Sequence, residues 1–358
     1  MMQPHVTVTV CVRDGEHWID DCLKSLINQD YENLDIIAVD DGSTDSSLEK
    51  LKKFENNDDE SGKSVMILSQ SARGLSAARQ LAVDNAKGEW VAITDIDVRP
   101  EIDWITKLVE RVLHNNDENI GAVTGRTIFE TTPNVVSKLR SVEIQQKYKN
   151  RPLKTNLANG PCSMFLKEAV TEVDGFDPSW YHAEDMELSL KLINSGYTII
   201  YNPEAVVKHV PEEGLKLFLA KRRRDSRAHT RIMRNWPKSR RNNTSFDFLG
   251  VSGAVLMIIP TFVLYLIGLG LTLHFDPQFS DRSSLLFFAP GVLLNFSYVH
   301  FTSFRKLVRT LTNDAGTRKY PMIKLILFNW SLSLWIGLFL GLTDAIRGKN
   351  GHRRFFSK

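Results

Sequence analysis

The sequence predicts an α/β fold with a mostly parallel central sheet, followed by apolar C-terminal helices. Three observations carry that prediction. Strand-like and helix-like segments alternate at short intervals through residues 5–208. Four polar motifs fall at the ends of successive predicted strands: Arg13-Asp14, Asp40-Asp41-Gly42-Ser43, Ser71-Ala72-Arg73-Gly74 and Asp95-Ile96-Asp97. After Phe246 the chain turns apolar. Alternation of this kind needs crossover connections, which make neighbouring strands parallel and cover both faces with helices. Ligands of such sheets sit beyond the carboxyl ends of the strands. Four motifs placed there predict one shared pocket.

The elements follow in order. His5–Val12 is rich in Val and Thr and reads as a first strand. Glu16–Asn28 has a helical stripe of Trp18, Ile19, Cys22, Leu23, Leu26 and Ile27. Leu34–Val39 is a buried strand, Ser46–Phe54 a short helix and Glu55–Lys63 a polar, acidic loop. Val65–Leu68 is a strand, and Leu75–Ala86 is a helix that Gly88 ends. Trp90–Thr94 is the strand that leads into Asp95. Beyond Pro100, Trp104–Leu113 is a helix, Ala122–Ile128 a strand and Val135–Tyr148 a helix. Asn159–Leu166 is a turn into a strand, Lys167–Val173 a short helix and Glu184–Ser195 a clear helix. Tyr197–Tyr201 and Ala205–Lys208 are further strand material.

With 358 residues and a net charge of +3, the chain has room for one large soluble domain and something more. The modest net charge hides segregation. Lys216–Arg241 holds eleven Lys or Arg and one acid, Asp225. Cys11, Cys22 and Cys162 lie far apart without metal spacing, which predicts buried thiols in a reducing compartment. The start has no basic region before its first strand, so no signal peptide is expected.

Phe248–Leu273 is apolar for longer than the ~20 residues that a bilayer core requires. Ile323–Leu342 is a second expected span. Leu285–Phe301, interrupted by Pro290 and Asn295, either spans or lies re-entrant at the interface. Positive-inside bias places the basic stretch before Phe248 in the cytoplasm, whereas the basic tail after residue 346 conflicts with three crossings. The expected organisation is a cytoplasmic catalytic domain (1–215), a basic juxtamembrane segment (216–247), a membrane region of two or three spans (248–346) and a basic tail (347–358).

Asp95-x-Asp97 at a strand end offers carboxylates to a hard cation such as Mg²⁺ or Mn²⁺ and leaves room for substrate phosphates. Asp40–Asp45 also fits an Asx-turn with a helix cap, and Glu184-Asp185 also fits a helix N-terminus, where acids are favourable. In the basic segment, Arg222, Arg223 and Arg224 could clamp a lipid phosphate or a diphosphate by bidentate bonds, or meet anionic headgroups. A nucleic-acid role would need an aromatic platform and is not expected.

In the order Asp40-Asp41-Gly42-Ser43, Arg73-Gly74, Ala78-Arg79, Asp95-Ile96-Asp97, Asn159-Gly160-Pro161-Cys162, Gly175-Phe176-Asp177 and Glu184-Asp185, residues 5–235 resemble nucleotide-sugar glycosyltransferase family 2, with its A-type fold. The resemblance implies a metal-dependent, inverting enzyme. Arg13, Asp14, Asp40, Asp41, Arg73 and Arg79 would line the nucleotide pocket. Asp95 and Asp97 would hold the metal, with Asp95 also facing the donor, and His209 would approach the same ion. Asp185, assisted by Glu184, would be the base, and Gly160 and His182 would lie near the acceptor. A UDP-sugar is the favoured donor and a GDP-sugar the other. The hydrophobic C-terminus resembles membrane-anchored members, so the expected acceptor is a polyprenyl phosphate, a lipid-linked oligosaccharide or a glycolipid. A homo-oligomer is compatible with this. The Gln-x-x-Arg-Trp motif of processive members is absent, its place taken by Leu217-Phe218-Leu219-Ala220-Lys221-Arg222-Arg223-Arg224, and this favours a single transfer. The alternatives are a processive polysaccharide synthase and a non-catalytic scaffold that binds nucleotide or glycan.

Overall fold

The computed structural model describes residues 3–55, 63–114, 119–149, 151–241, 250–274, 305–316 and 318–348. Nine strands form one sheet: β1 (Val6–Val12), β2 (Leu34–Asp41), β3 (Val65–Gln70), β4 (Trp90–Asp95), β5 (Val98–Pro100), β6 (Ile120–Phe129), β7 (Lys154–Thr155), β8 (Ser163–Leu166) and β9 (Thr198–His209). Their order is β3-β2-β1-β4-β8-β6-β9-β5, with β7 on β9. The helices of this part are α1 (Ile19–Ile27), α2 (Ser47–Glu55), α3 (Leu75–Asn85), α4 (Trp104–Leu113), α5 (Val135–Lys149), α6 (Lys167–Glu172) and α7 (Glu184–Asn194).

Strand alternation builds two cores. In β2, Ile36 and Ala38 join the core under α1 and α4, while Ile37 and Val39 join the core under α3, α6 and α7. β4 repeats this, with Trp90 and Ala92 on one side and Val91 and Ile93 on the other. Successive side chains of a strand point to opposite faces, so a run apolar at every position must be covered twice.

The sheet is mixed, which corrects the mostly parallel expectation. The β1–β2, β1–β4, β2–β3 and β6–β9 pairs are parallel, but β8 runs antiparallel between β4 and β6, and β5 and β7 run antiparallel to β9. Apolar patterning reports burial, not direction, so the reversal of β8 left no mark in the sequence. The two predicted segments 197–201 and 205–208 are one strand, β9. β5 was missed because it has only three residues and ends in Pro100.

The remaining helices are α8 (Leu215–Asn235), α9 (Gly250–Leu256), α10 (Ile258–His274), α11 (residues 305–314) and α12 (Tyr320–Ile346). The expected span Phe248–Leu273 is broken near Met257 into α9 and α10, and the segment Leu285–Phe301 lies outside the described residues. Among the described residues α12 alone is long and apolar enough to cross a membrane. It does not stand free. Phe218 of α8 packs edge-on against Trp330, Arg227 forms a two-point ion pair with Asp344 at 2.6 and 2.8 Å, and Gly341 lies against Thr230. Gly337 meets the backbone of Arg223 so closely that no Cβ would fit. Small residues four apart let helices approach in this way.

Glu143 of α5, 1% exposed, pins α8 to the sheet domain. It accepts from Arg140 Nη1 and Arg222 Nη1, both at 2.7 Å, with Lys147 Nζ at 3.4 Å. Burial alone would raise this carboxyl, but Arg222, Arg140 and Lys147 outweigh it and hold the group well below the usual carboxylate range. Removing one partner of a buried network strands the others, so Glu143→Ala is expected to destabilise by ~3–5 kcal/mol in urea unfolding at neutral pH. A depressed folded pKa stabilises above the unfolded value and ceases to do so as pH falls through the folded value. Wild type therefore loses this contribution in acid, and the variant shows a flatter acid limb.

Candidate active site

The parallel strands end along one edge, and their registers align the site: Val12 lies opposite Asp40, Cys11 opposite Asp95 and Asp41 opposite Gln70. The loops beyond those ends are stitched together by carboxylates. Asp14 takes positive φ and its Oδ1 accepts from the Thr44 amide and hydroxyl at 2.7 and 3.0 Å. Asp41 is 3% exposed. Its Oδ1 accepts from Gln70 Nε2 and the Arg73 amide, and its Oδ2 from the Gly74 amide, at 2.7–2.8 Å. Gly42, at φ +68°, lies where a Cβ would come within 2.6 Å of the Ala72 amide. A left-handed turn in such contact requires glycine.

Asp40 differs from its neighbour. It is equally buried, but its bonds from the Ser43 amide and the Ser69 hydroxyl are long, 3.3–3.4 Å. Asp41 is committed to holding the β3–α3 loop, whereas Asp40 is held only by these longer bonds. Arg13 Nε lies 4.0 Å from Asp14, and the Arg73 side chain is exposed at the rim.

Arg79 is the centre of the arrangement. Its guanidinium, 2% exposed, donates through Nη2 to Asp95 at 2.7 Å and through Nη1 to Glu184 at 2.6 Å. Gly160 sits on it, since a Cβ there would lie 2.7 Å from Nη2. The Gly160 amide in turn donates to Asp185 Oδ2 at 2.9 Å, and the Met186 amide donates to Oδ1 at 2.8 Å. One buried cation thus joins the end of β4 to the start of α7. Burial raises the Glu184 pKa, Arg79 opposes that and Asp185 adds to it.

On the other side of Asp95, pairing of β5 with β9 sets Val98 opposite His209. His209 Nε2 then lies 3.4 Å from Asp97 Oδ2. The ring stacks on Phe129 at 4.1 Å, and Nδ1 is 2.9 Å from the Val210 carbonyl. A carbonyl can only accept, so Nδ1 carries a proton, and Nε2 is the ring nitrogen that faces Asp97. A backbone carbonyl accepting from one ring nitrogen in this way fixes the orientation of the imidazole. Burial pushes Asp97 up, His209 opposes this and the like charge of Asp95 adds to it. Among the described residues no group of three or more His, Cys, Asp or Glu side chains is placed to hold a metal ion. The structure brings together the pair Asp97 and His209, with Asp95 two residues before Asp97 and bonded to Arg79.

His182 Nε2 lies 2.8 Å from Asp225 on α8. Burial acts to raise Asp225, but Arg222 and His182 hold it well below the usual range. Arg222, 3% exposed, also pairs with Glu143, so its guanidinium is engaged within the protein. Arg224 Nη2 lies 3.7 Å from Asp225, and the Arg223 side chain is exposed. The sequence reading passed over Asp225 as a partner, although a lone acid among eleven cations was its signal. Nothing in the sequence marked Phe129. Cys22 and Cys162 are buried, Cys11 is half-buried, and burial pushes all three thiols up to about 12, which leaves no ready thiolate.

Comparison with known proteins agrees with this geometry. Residues 7–174 match the model of glycosyl transferase family 2. Glycosyltransferase GlyA of Streptococcus pneumoniae is 34% identical over 113 residues, 32% of this chain and 16% of the relative. Poly-β-1,6-N-acetyl-D-glucosamine synthase of Staphylococcus aureus is 27% identical over 202 residues, 55% of this chain and 47% of the relative. The chain therefore spans less than half the length of these curated relatives. The solved mannosyltransferase PcManGT from Pyrobaculum calidifontis, in complex with GDP-Man and Mn²⁺, superposes with a TM-score of 0.56 at 19% identity, covering 96% of this chain and 88% of that one, and shows a shared fold. Residues 7–174 are similar to glycosyl transferase family 2, and the chain carries an A-type α/β fold.

Proposed function

We propose that the protein transfers sugar, with inversion, from a nucleoside-diphosphate sugar to a hydroxyl of a growing glycan. The observation that carries this reading is the Arg79 bridge, which ties Asp95 to Glu184 and, through Gly160, sets Asp185 on the same support. The acidic pair on one side and the candidate base on the other are thereby fixed to one buried group.

Asp40 is suited to receive the base or ribose, with Asp14 and Asp41 shaping the loops around it. Asp97, His209 and Asp95 fit Mn²⁺ or Mg²⁺, which when bound supplies Lewis-acid charge to the departing diphosphate. Asp185 accepts the hydroxyl proton as that oxygen bonds to the anomeric carbon, and the nucleoside diphosphate leaves from the opposite face with the bonding electrons. Each Asp185 oxygen receives one amide, which fixes the carboxylate and leaves a lone pair for the incoming proton. The donor is a UDP- or GDP-sugar.

For the product, the polymer reading has the better support and replaces the single-transfer expectation. The Staphylococcus aureus relatives matched over 202 residues are named as synthases of a polysaccharide. The missing Gln-x-x-Arg-Trp motif is the observation on the other side. Purified protein given donor, Mn²⁺ and a short oligosaccharide is expected to yield a ladder of products by mass spectrometry. A single added sugar would overturn the polymer reading, and donor binding without turnover would favour a scaffold.

The acceptor glycan is reached at a membrane surface, and the apolar helices lie along it. Were α12 to cross a bilayer upright, α8 would be carried in beside it. Each of its arginines would then cost ~2.5–3.5 kcal/mol or more at the centre of the hydrocarbon. Arg231, farther along α8, donates to the Ser179 carbonyl of the catalytic domain at 3.0 Å, so that domain would follow. The face of α12 away from α8 exposes Leu325, Leu332, Ile336 and Phe339, with Lys324 and the α11 cations Arg305, Lys306 and Arg309 nearby in sequence. α12 is apolar around its circumference, so the placement at the surface rests on the cationic α8 packed along it. Cysteines placed at Lys324 and Ile346 are expected to react with a membrane-impermeant thiol reagent from the same side. Labelling from opposite sides would restore the crossing.

A further inference from the structure

Behind the catalytic end of α7 lies a second cavity of about 310 Å³, none of whose walls is a strand-end residue. Asp177, Trp180 and Glu187 form one side, and Arg231, Asn235 and Trp236 at the end of α8 form the other. Two of its buried polar atoms have no partner: Glu187 Oε2 and Arg231 Nε, in residues 5% and 7% exposed. The surrounding atoms are firmly placed. Glu187 Oε1 lies 3.3 Å from Lys191 Nζ. Arg231 donates from its two terminal nitrogens to the carbonyl and hydroxyl of Ser179, both at 3.0 Å, and stacks 3.8 Å from the centre of the Trp180 ring. An unpaired buried polar atom costs ~1–3 kcal/mol. A donor and an acceptor left open in one cavity point to a ligand that answers both.

We propose that this cavity is a carbohydrate subsite, holding one neutral sugar unit of the acceptor remote from its reacting end. A sugar hydroxyl donates and accepts at once, which matches walls that hold an unpaired acceptor, Glu187 Oε2, and an unpaired donor, Arg231 Nε. Asp177 and Glu187 share the walls with Arg231 and Arg240, so a polyol, which both donates and accepts, fits the mixed lining. Trp236 is only partly buried and presents an indole surface to the apolar C–H face of a pyranose. The volume is at the small end of the ~300–1,000 Å³ range of ligand pockets, which suits one ring. Burial pushes Glu187 up to about 7, so near neutral pH its carboxyl both accepts and donates. Position gives the subsite its role. Glu187 follows Asp185 by two residues on α7, which puts the cavity across that helix from the candidate base and remote from the reacting end. A distant grip on the acceptor keeps the chain bound between additions.

The ligand class rests on the sugar-transfer reading, so the test separates the two. The full chain is titrated calorimetrically, without nucleotide, with methyl β-N-acetylglucosaminide, methyl α-mannoside and inorganic phosphate. Wild type is expected to bind at least one glycoside saturably and to ignore phosphate. Glu187→Ala and Trp236→Ala are each expected to weaken that binding, and to raise KM for an oligosaccharide acceptor, by about tenfold, the effect of one lost contact. Metal-dependent hydrolysis of the donor sugar nucleotide should be unchanged in both variants, which also shows that they fold. Binding of neither glycoside, binding of phosphate instead, or glycoside binding unchanged in both variants would overturn the subsite. Donor hydrolysis with no glycoside binding sinks the subsite alone. Glycoside binding without donor hydrolysis supports the subsite and overturns the transfer reading.

Discussion

Alanine at both Asp95 and Asp97 is expected to remove metal-dependent donor turnover, with a loss of about a thousandfold or more in kcat/KM. The magnitude follows from charge. A departing nucleoside diphosphate gathers negative charge that the protein must meet, and Lewis-acid stabilisation is worth several kcal/mol; each ~1.4 kcal/mol is tenfold in rate. The two residues are not equivalent. Asp97 faces His209 across 3.4 Å, whereas Asp95 also receives Arg79. Asp97→Ala alone should therefore chiefly weaken apparent metal affinity, so that added Mn²⁺ restores part of the activity. Asp95→Ala also releases Arg79 from β4 and should not be rescued. Chelation of wild type should reproduce the double variant, and kinetics across a Mn²⁺ series checks all of this.

Asp185→Asn is the second large effect. The amide keeps the shape of the side chain and one oxygen to accept from Gly160 or Met186, but it cannot take a proton. General-base catalysis contributes about 10²–10⁴-fold. Transfer to a hydroxyl acceptor should fall by that factor, with donor KM unchanged because the nucleotide side is untouched. Glu184→Gln should behave differently. Its carboxylate meets Arg79 rather than a substrate, so the change loosens the bridge and affects donor and acceptor steps together. A variant at Asp185 that lowered donor affinity as much as transfer would argue that the residue is a helix-start acid without a proton-transfer role.

Much of the fold was legible because burial leaves a period in the sequence. The stripe Ile19, Cys22, Leu23, Leu26 marked α1, and the unbroken apolar run of β4 marked a strand covered on both faces. The four strand-end motifs were legible as a group, and the stitching of Asp14 to Thr44 and of Asp41 to Gly74 shows how they come together. Direction was not legible, since an apolar strand such as β8 reads alike either way. Length and composition marked Ile323–Leu342 as a long apolar helix but not what it packs against. A helix apolar enough to span can also be one that packs a glycine face on a neighbour, and the neighbour here carries arginine. Pairing was also hidden. Arg79 stood in the sequence as a pocket residue, and only the fold brings it between Asp95 and Glu184, 16 and 105 positions away.

The account depends on Asp97 and His209 gripping an ion that neutralises the leaving phosphates. Its most direct test needs no turnover: electron paramagnetic resonance of Mn²⁺ titrated into the protein with UDP or GDP present, in wild type and in Asp97→Ala. The expected result is a bound Mn²⁺ signal in wild type that nucleoside diphosphate strengthens and the variant loses. Equal Mn²⁺ binding by both proteins would contradict it.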